Sequence, residues 1–387
     1  MKNIYLDSAA TSQMRDEVIK SMNQIMQDCY GNPSSTHAFG RKAKSKIEAC
    51  RKDIAKSLNV TPGEIIFTSG GTEADNMALK CAIFDLGVER IITSKIEHHA
   101  VLNTSNFLEE QADIDVNYVN LDKNGQVDLK HLEKLLNESD AKTLVSLMHI
   151  NNEIGNKLDL KKVSDLCQKY KALLHSDTVQ SIGHFKIDLK ACPLDFLAVS
   201  AHKFHGPKGV GFAYINKKHK LASLIQGGAQ ERGHRAGTEN VAGIVGLHTA
   251  FNLAYKNLDQ ESQYVKNLKK YFIEKLEDNI KDLVFNGLCK DLDQSTYTVI
   301  NVSLPISEAN AGLLLFQLDL KGIACSQGSA CQSGSQQGSF VLNEIYGSEK
   351  AKTPSLRFSL SHYNTKTEID YTIKVLSEFV NSEKIAV

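Results

Sequence analysis

The sequence lacks several features that would assign it to a membrane, a nucleic acid or an oxidising compartment. No stretch approaches the roughly 18 consecutive apolar residues that a membrane-spanning helix needs. Lysine plus arginine equals aspartate plus glutamate, at 45 each, so no net charge favours a nucleic acid or an anionic membrane surface. The first residues, 1–11, contain no apolar run of the kind found in signal peptides, and we therefore expect a cytoplasmic protein.

Signatures of metal and nucleotide sites are also missing. The eight cysteines form no CxxC pair, and no HExxH motif or carboxylate cluster accompanies His98, His202 or His205, so we expect no metal. Neither a GxGxxG motif nor a P-loop occurs, which disfavours a dinucleotide or a nucleoside triphosphate. Cys81 and Cys167 lie among apolar residues, and we interpret both as small core side chains.

The composition is that of a soluble globular protein. Of its 387 residues 42% are hydrophobic and 23% charged, and the length predicts more than one domain. From about residue 60 to 215 short apolar runs alternate with helical patterns, which predicts an α/β domain with a mostly parallel sheet covered by helices. The predicted strands are Glu64–Ser69, Arg90–Ile96, Val116–Leu121, Thr143–Ile150, Ala172–Asp177, Phe196–His202 and Val210–Ile215, and the helices between them include Glu73–Phe84, Leu129–Leu136 and Leu160–Tyr170.

The pattern changes after about residue 255. A long amphipathic helix is predicted, with apolar residues recurring at three- or four-residue steps from Val265 to Ile280. A strand follows in which Leu356, Phe358 and Leu360 alternate with polar residues. The last helix opens with the capping box of Thr365 and Glu368 and buries Ile369, Ile373, Leu376 and Val380. We therefore predict a second, smaller α+β domain.

Lys203 is the first candidate for chemistry. It ends the tetrapeptide Ser200–Lys203, which a predicted strand delivers to the edge of the sheet where α/β proteins bind ligands. A glycine-rich loop, Gly206–Gly211, follows it. A lysine at such a place can form a Schiff base with an aldehyde if its amine is partly desolvated. The alternative is an ordinary surface lysine after a strand.

Three further features would suit an aromatic, anionic cofactor. Asp177 ends another predicted strand, where its carboxylate could pair with a protonated pyridine nitrogen or cap a helix. Ser69–Glu73 lies between a strand and a helix, so its backbone could wrap an anion beside the Thr72 hydroxyl, or form a plain turn. His98 follows a strand and could stack on an aromatic ring and shuttle a proton.

Two residues of the second half are candidates for contact with a substrate. The segment Cys325–Ser339 consists almost wholly of Ser, Gly, Gln and Ala, and we expect a mobile loop with little to bury. Cys331 within it is either a reactive thiol or an incidental loop cysteine, whereas Cys325 is interpreted as structural. Arg357 faces away from the core side of its strand, where it could fork onto a carboxylate or face solvent.

Taken together, these motifs resemble the cysteine desulfurases of the NifS/IscS type, within the class V aminotransferase-like group of fold-type I pyridoxal-phosphate enzymes. The resemblance covers nearly the whole chain, in the family's order and roughly its spacing. It is carried by YLDSAAT, GNPSSTHAFG, FTSGGTEADN, EHHAV, HINNEIG, DTVQS, SAHKFHGPKGVG, ERGHRAGTEN, GSACQSG and LRFSL. It implies a large pyridoxal-phosphate-binding domain over residues 13–255 and a small domain formed by residues 1–12 and 256–387, which carries the cysteine loop.

The resemblance also implies pyridoxal 5′-phosphate as cofactor and L-cysteine as substrate. Lys203 is similar to the lysine that holds the cofactor and removes the α-proton, and Cys331 to the nucleophile that takes the sulfur as a persulfide and leaves L-alanine. The other matches are His98 stacked on the ring, Asp177 at the pyridine nitrogen, Asn152 and Gln180 at the ring oxygen, Gly71, Thr72, Ser200 and His202 around the phosphate, Thr238 reaching the phosphate from a second subunit, and Arg357 with Asn152 at the substrate carboxylate.

Partners follow from the same resemblance. It implies a homodimer and an acceptor protein for the persulfide sulfur, of a kind such as an iron–sulfur scaffold, with no nucleic acid and no membrane. A transaminase would share Lys203 and Asp177 without needing Cys331, and a selenocysteine lyase would release selenium by the same route without strictly needing the thiol. A sulfur-relay protein without catalysis would show damage at Lys203 or around the phosphate, and both are intact.

Overall fold

The computed structural model describes residues 3–307, 310–328, 338–348 and 353–385. Its strands are short and are labelled β1 to β12 in chain order. They are Ile4–Tyr5, Ile65–Thr68, Arg90–Thr93, Asp115–Tyr118, Thr143–Ser146, Leu173–Asp177, Phe196–Ser200, Gly211–Ile215, Val284–Phe285, Val299–Ser303, Ile323–Ala324 and Ser355–Ser359. Helices α1 to α11 are Asp16–Asp28, Ala38–Ser57, Gly71–Phe84, His99–Ala112, Leu129–Asn137, Leu160–Lys169, Val241–Lys256, Leu258–Asn279, Ala311–Leu320, Phe340–Tyr346 and Lys366–Ile385.

A seven-stranded sheet in the order β2-β8-β7-β6-β5-β3-β4 organises the first part of the chain. All neighbouring pairs are parallel except those that β8 makes with β2 and β7. The α/β class with a mostly parallel sheet is thereby confirmed. Because β2, β3, β5, β6 and β7 run the same way, their carboxyl ends meet at one edge of the sheet, where this architecture places its ligands.

Separate hydrophobic clusters cover the two faces of this sheet. On one face α3 and α4 pack against strand residues such as Ile91 and Ala198. On the other face α2, α6 and α7 pack against the alternate strand residues, among them Val145 and Val199. Strands buried on both sides read as continuous apolar runs, which is why the sequence pattern is solid rather than alternating there.

The later part of the chain forms a second, smaller sheet. Strand β10 pairs antiparallel with both β12 and β9, while β1 near the N-terminus pairs with β11. A further cluster joins Ile4 and Leu6 to side chains of α8, β10, β12 and α11. The N-terminal strand therefore packs with residues more than 250 positions away, although the division at residues 12 and 255 stays a prediction.

Most predicted elements are confirmed with shorter strands than expected. The strand predicted as Phe196–His202 ends at Ser200, because residues 201–203 form a 3-10 turn that directs the next side chains off the sheet edge. The capping box of α11 is present: Glu368 Oε2 accepts from the Thr365 N–H at 2.9 Å. Cys81 and Cys167 are buried as predicted. Within the described part of the chain, no helix combines the length and apolar composition needed to cross a membrane.

Candidate active site

A cleft of about 280 Å³ opens at the carboxyl edge of the seven-stranded sheet, near the lower end of the size range of small-molecule sites. Its wall combines residues at the edge of the seven-stranded sheet with Arg357 of β12 in the smaller sheet. The predicted site residues that line it are Gly71, Thr72, His98, Asn152, Asp177, Gln180, Ser200, His202, Lys203 and Arg357. They come from positions spread over nearly 290 residues of sequence, so the fold alone brings them together.

Lys203 is held at the end of the 3-10 turn that follows β7. Its Nζ donates hydrogen bonds to the backbone carbonyls of Ala9 at 2.7 Å and Ala10 at 2.8 Å. Its own carbonyl lies 3.1 Å from Nε2 of His184. The amine is therefore directed into the cleft and is only partly exposed. The alternative of a surface lysine after a strand is wrong.

The anion-binding features lie at the amino end of α3. Gly71 is its first residue, so the unpaired N–H groups of the first turn point toward the cleft beside Ser200 and His202. A Cβ at Gly71 would stand 2.5 Å from Cγ2 of Val179, which explains why glycine is needed at this position. Glu73 Oε2 accepts from the backbone N–H of Ser69 at 2.7 Å and fixes the preceding turn.

His202 completes this end of the cleft as a neutral side chain. Its Nδ1 lies 3.2 Å from Oγ1 of Thr11. Burial lowers the pKa of His202 to about 4, with further lowering from the charges of Lys203 and Lys208. A neutral imidazole can donate one hydrogen bond to an anion through Nε2 while Nδ1 accepts from the threonine.

Asp177 and His98 face the middle of the cleft. Asp177 is the last residue of β6, is 7% exposed, and its Oδ1 accepts from the backbone N–H of Val179 at 2.8 Å. Burial raises the pKa of Asp177, while His98 and Lys203 act to lower it. His98 caps α4 by accepting from Ala100 N–H at Nδ1, and burial lowers its pKa. Asp177 does not cap a helix, so that alternative is wrong.

Arg357 lines the other side of the cleft and is almost completely buried, with 2% exposure. Its Nη1 donates to the Asn152 carbonyl at 2.8 Å and its Nη2 to Oδ1 of Asp7 at 3.0 Å. The Nε atom of Arg357 and Oδ1 of Asn152 have no hydrogen-bond partner among the described residues. Arg357 does not face bulk solvent, because the polar side of β12 lines the cleft.

Several contributors were missed by sequence reasoning. The carbonyl of Ala9 accepts from both Lys203 Nζ and Gln180 Nε2, the latter at 2.9 Å. Backbone acceptors leave no trace in side-chain identity, although both alanines lie within the quoted motif YLDSAAT. Asp7, in the same motif, is the carboxylate that binds Arg357. The motif could have directed attention to it, but not to its partner 350 residues away.

Two buried carboxyl groups near Asp177 were also missed. Asp75 lines the cleft one helical turn after Gly71 and is 1% exposed, and Glu97 precedes His98. Burial raises the pKa of Glu97 to about 8, and that of Asp75 lies well above its ordinary value, chiefly because of burial. Spacing of four residues from Gly71 in a helix was the available signal for Asp75.

One predicted residue does not line this cleft, and one lies outside the described part of the chain. Thr238 is exposed and does not line it. Cys331 lies outside the described residues. The ends of its segment contradict the expectation of little burial: Ser326 is 7% exposed, and Ser339 is 4% exposed and donates to Glu153 Oε2 at the start of α10. Among the residues that the structure describes, no group of three or more metal-ligating side chains occurs.

Comparisons with known proteins agree with the arrangement of residues in this cleft. The sequence profile described as aminotransferase class-V matches residues 4–372. The chain belongs to the aminotransferase class-V family. It is 41% identical over 381 residues to a protein of Dictyoglomus turgidum named cysteine desulfurase IscS, an alignment that covers 98% of this chain and 95% of the relative.

Solved structures of the class-V family show the same architecture. A structure named NifS-like protein is 35% identical and superposes with a TM-score of 0.89, covering 98% of this chain and 99% of that one. A structure described as SspA in complex with cysteine is 30% identical, with a TM-score of 0.81 and coverage of 94% and 100%. These solved structures match the chain over almost its whole length, so both sheets belong to the shared fold.

Proposed function

We propose that this protein is a pyridoxal-phosphate-dependent cysteine desulfurase that supplies sulfur for iron–sulfur cluster or thio-cofactor biosynthesis. The observation that carries the proposal is the convergence of an amine, Lys203, a carboxylate, Asp177, and a guanidinium, Arg357, in one cleft. It is supported by the names of relatives about 40% identical over their full length and by a structural neighbour described as bound to cysteine. Each described cysteine is a free thiol, which supports a reducing, cytoplasmic location.

The residues present fit pyridoxal 5′-phosphate. The first turn of α3 with Thr72, Ser200 and His202 offers donors to a phosphate, and the chain passes so close to Val179 at Gly71 that a Cβ would collide with it. Asp177 offers a buried carboxylate for a protonated pyridine nitrogen. Unpaired buried polar atoms, among them Oδ1 of Asn152 and Nε2 of His99, face the same cleft and lack a partner among the described residues.

The cofactor, when bound, supplies an electrophilic aldehyde for amines and an electron sink for the charge left at the substrate α-carbon. Around it the side chains have separate tasks. Asp177, whose pKa is raised by burial against the opposing charges of His98 and Lys203, would accept the N–H of a protonated pyridine nitrogen. His98 would cover the ring, and Gln180 and Asn152 would offer polar groups to its oxygen. Ala9 and Ala10 orient the Lys203 amine, which takes a proton from the substrate α-carbon and can return one.

Arg357 and Asn152 bind the substrate carboxylate in this proposal. A guanidinium fork matches a carboxylate in shape and charge, and the buried position of Arg357 strengthens the attraction. The N–H of Arg357 Nε is left without a partner in the described structure, so a donor remains available.

Cys331 is the proposed sulfur acceptor. Its thiolate attacks the sulfur of L-cysteine, so an S–S bond forms while the bond between that sulfur and Cβ breaks. The products are L-alanine and a Cys331 persulfide, which balances one L-cysteine and one thiol without an external oxidant. A sulfur-acceptor protein or a reductant then removes the outer sulfur. Because the residues around Cys331 are not described, this role rests on the resemblance of GSACQSG alone.

A homodimer completes the proposal through Thr238. Three residues after it, α7 begins, and Val241 packs against Ile25 and Cys29 of α1. The end of α1 and the start of α2 expose large apolar side chains in that region, namely Met26, Tyr30 and Phe39. Exposed apolar patches of this kind are typical of subunit interfaces. A second copy covering this patch would bring Thr238 toward the phosphate end of the partner's cleft.

The decisive experiment measures sulfide and L-alanine released from L-cysteine in the presence of a reductant. We expect both products from the wild type, almost no sulfide from Cys331→Ser, and wild-type amounts from Cys192→Ser, a half-buried free thiol outside the cleft. Equal sulfide from Cys331→Ser would make Cys331 incidental and favour a lyase acting on selenocysteine. Absence of sulfide from every protein, with cofactor bound, would favour transamination.

A further inference from the structure

Asp7 holds the guanidinium of Arg357 from the side of the N-terminal strand. Its Oδ1 accepts from Arg357 Nη2 at 3.0 Å and from Ser326 Oγ at 2.7 Å. Ser326 is fixed in turn, because its backbone N–H and carbonyl bond to those of Arg357 at 3.2 Å and 2.7 Å. A carboxylate with two anchored donors on one oxygen has little freedom to leave.

The charge of Arg357 is therefore already matched before any ligand arrives. Asp7 is the carboxylate in ion-pair distance of Arg357 among the described residues, and its side chain is 16% exposed. Glu153 also interacts with Arg357 electrostatically, but it makes no ion pair with it in the described structure, and burial raises the pKa of Glu153 against the effects of Ser339 and Arg357. Arg357 itself still has an unpaired donor at Nε.

We propose that Asp7 is a built-in counter-ion of Arg357 that weakens binding of an amino-acid carboxylate and so promotes release of the product. The inference rests on the proposed function, since it assigns Arg357 to the substrate carboxylate. Two carboxylates on one poorly solvated guanidinium repel each other, and the repulsion is strong where water cannot screen it. L-alanine and L-cysteine carry the same carboxylate, so the effect applies to both.

The pair of Asp7 and Arg357 combines two properties that an arginine without a counter-ion would lack: stability of the empty protein and moderate affinity for a carboxylate. An unpaired buried arginine would bind any carboxylate tightly and would destabilise the empty protein, because an uncompensated buried charge is costly. With Asp7 fixed by Ser326, the guanidinium keeps its position in the empty cleft and attracts a carboxylate only moderately.

The test is titration calorimetry of L-alanine into the cofactor-loaded protein. Asp7→Asn keeps the shape and an acceptor oxygen but removes the charge, and we expect its Kd for L-alanine to fall about threefold or more. Ser326→Ala removes one hydrogen bond and leaves both charges, and we expect its Kd to stay within about twofold of the wild type. An unchanged or higher Kd for Asp7→Asn, or an equal fall in Ser326→Ala, would overturn the proposal.

L-alaninamide, which lacks the carboxylate, separates charge from general loosening. We expect no tighter binding of this ligand by Asp7→Asn; an equal gain for both ligands would also overturn the proposal. Asp7→Ser serves the same comparison if Asp7→Asn melts early. In steady state KM for L-cysteine should fall more than kcat changes.

Failure of the proposed function has a different signature. A wild type that binds L-alanine but releases no sulfide would sink the desulfurase assignment while leaving the comparison at Asp7 intact. Sulfide release with an unchanged Kd in Asp7→Asn would sink only the role of Asp7. Lack of L-alanine binding by both proteins would contradict the carboxylate site itself.

Discussion

Asp75 and His175 face each other in the protein interior, with 3.3 Å between Asp75 Oδ1 and His175 Nε2. On its other side, Nδ1 of His175 lies 2.8 Å from Oγ of Ser146. Burial raises the pKa of Asp75 well above its ordinary value and lowers that of His175 to about 3. Burial thus disfavours the charged form of both members of this pair, whereas at Asp177 the charges of His98 and Lys203 act against the effect of burial.

The different surroundings of Asp177 and Asp75 predict a large loss of activity for one substitution and a small loss for the other. Asp177→Asn removes a charge that His98 and Lys203 favour, so we expect kcat for L-cysteine to fall at least tenfold, which corresponds to about 1.4 kcal/mol. At Asp75 burial and the nearby carboxyls of Asp177 and Glu97 raise the pKa and no cation acts against them, so we expect a fall of less than about threefold for Asp75→Asn. Steady-state kinetics with a check of cofactor content measures both. Equal losses of kcat in the two variants would refute the assignment of the catalytic charge to Asp177.

Arg357 gives a second prediction. Arg357→Lys keeps a positive charge but loses the planar fork, so we expect KM for L-cysteine to rise about 10- to 100-fold. The matched control is Arg15→Lys, since Arg15 is also buried and makes a bidentate ion pair, with Glu261, outside the cleft. That control should lower the melting temperature without raising KM. A normal KM in Arg357→Lys would remove Arg357 from the substrate site.

Thr238 allows a test of the dimer by subunit mixing. Thr238→Ala subunits supply an intact Lys203, and Lys203→Ala subunits supply an intact Thr238. If Thr238 acts across the interface, a mixed dimer contains one complete site, and we expect activity well above that of either unmixed variant. If mixing restores nothing, Thr238 acts within its own subunit or has no role in the cleft.

How far the site can be predicted depends on where each side chain sits in the chain. Lys203 and Asp177 follow apolar strands, so the rule that ligands bind at the carboxyl edge of a parallel sheet is enough to place them together. The sequence does not decide whether Arg357 binds a substrate or faces solvent. Alternation shows which side of a strand is apolar but not what lies against the other side. Only the packed cleft shows that its polar side is buried.

The contributors that escaped prediction did so for physical reasons. The bonds from Lys203 to Ala9 and Ala10 use backbone oxygens, to which any residue type would contribute equally. Asp7 and Arg357 are 350 residues apart, and their contact depends on the packing of β1 in the hydrophobic cluster of the smaller sheet. The proposed partner of Thr238 lies in a second subunit, so a single chain offers no contact that would reveal it.

A fourth prediction concerns Lys269, a lysine on α8 with 0% exposure. Its Nζ donates to Ser295 Oγ at 2.9 Å and to the Thr296 carbonyl at 2.6 Å, and burial lowers its pKa to about 8. Between pH 8 and the ordinary lysine pKa the unfolded chain binds a proton at this site that the folded protein does not. The free energy of unfolding therefore gains a contribution that rises with pH in this window.

The measurement is denaturant unfolding from pH 8 to about 10.5 for the wild type and Lys269→Met. We expect the stability of the wild type relative to the variant to increase by roughly 3 kcal/mol across the window. Taking the difference cancels the titration of buried thiols and tyrosines, which the two proteins share. Lys270→Met, on the exposed side of the same helix, should show no such slope. A flat difference for Lys269→Met would mean that Lys269 titrates normally.

The central claim, that sulfur passes from L-cysteine to Cys331, can be tested by mass spectrometry of the protein after reaction without a reductant. We predict that the peptide containing Cys331 gains one sulfur atom, that this atom is removed by a thiol reductant, and that L-alanine forms in an amount equal to the sulfur gained. Formation of L-alanine with no added sulfur on Cys331, or added sulfur on another cysteine instead, would contradict the account.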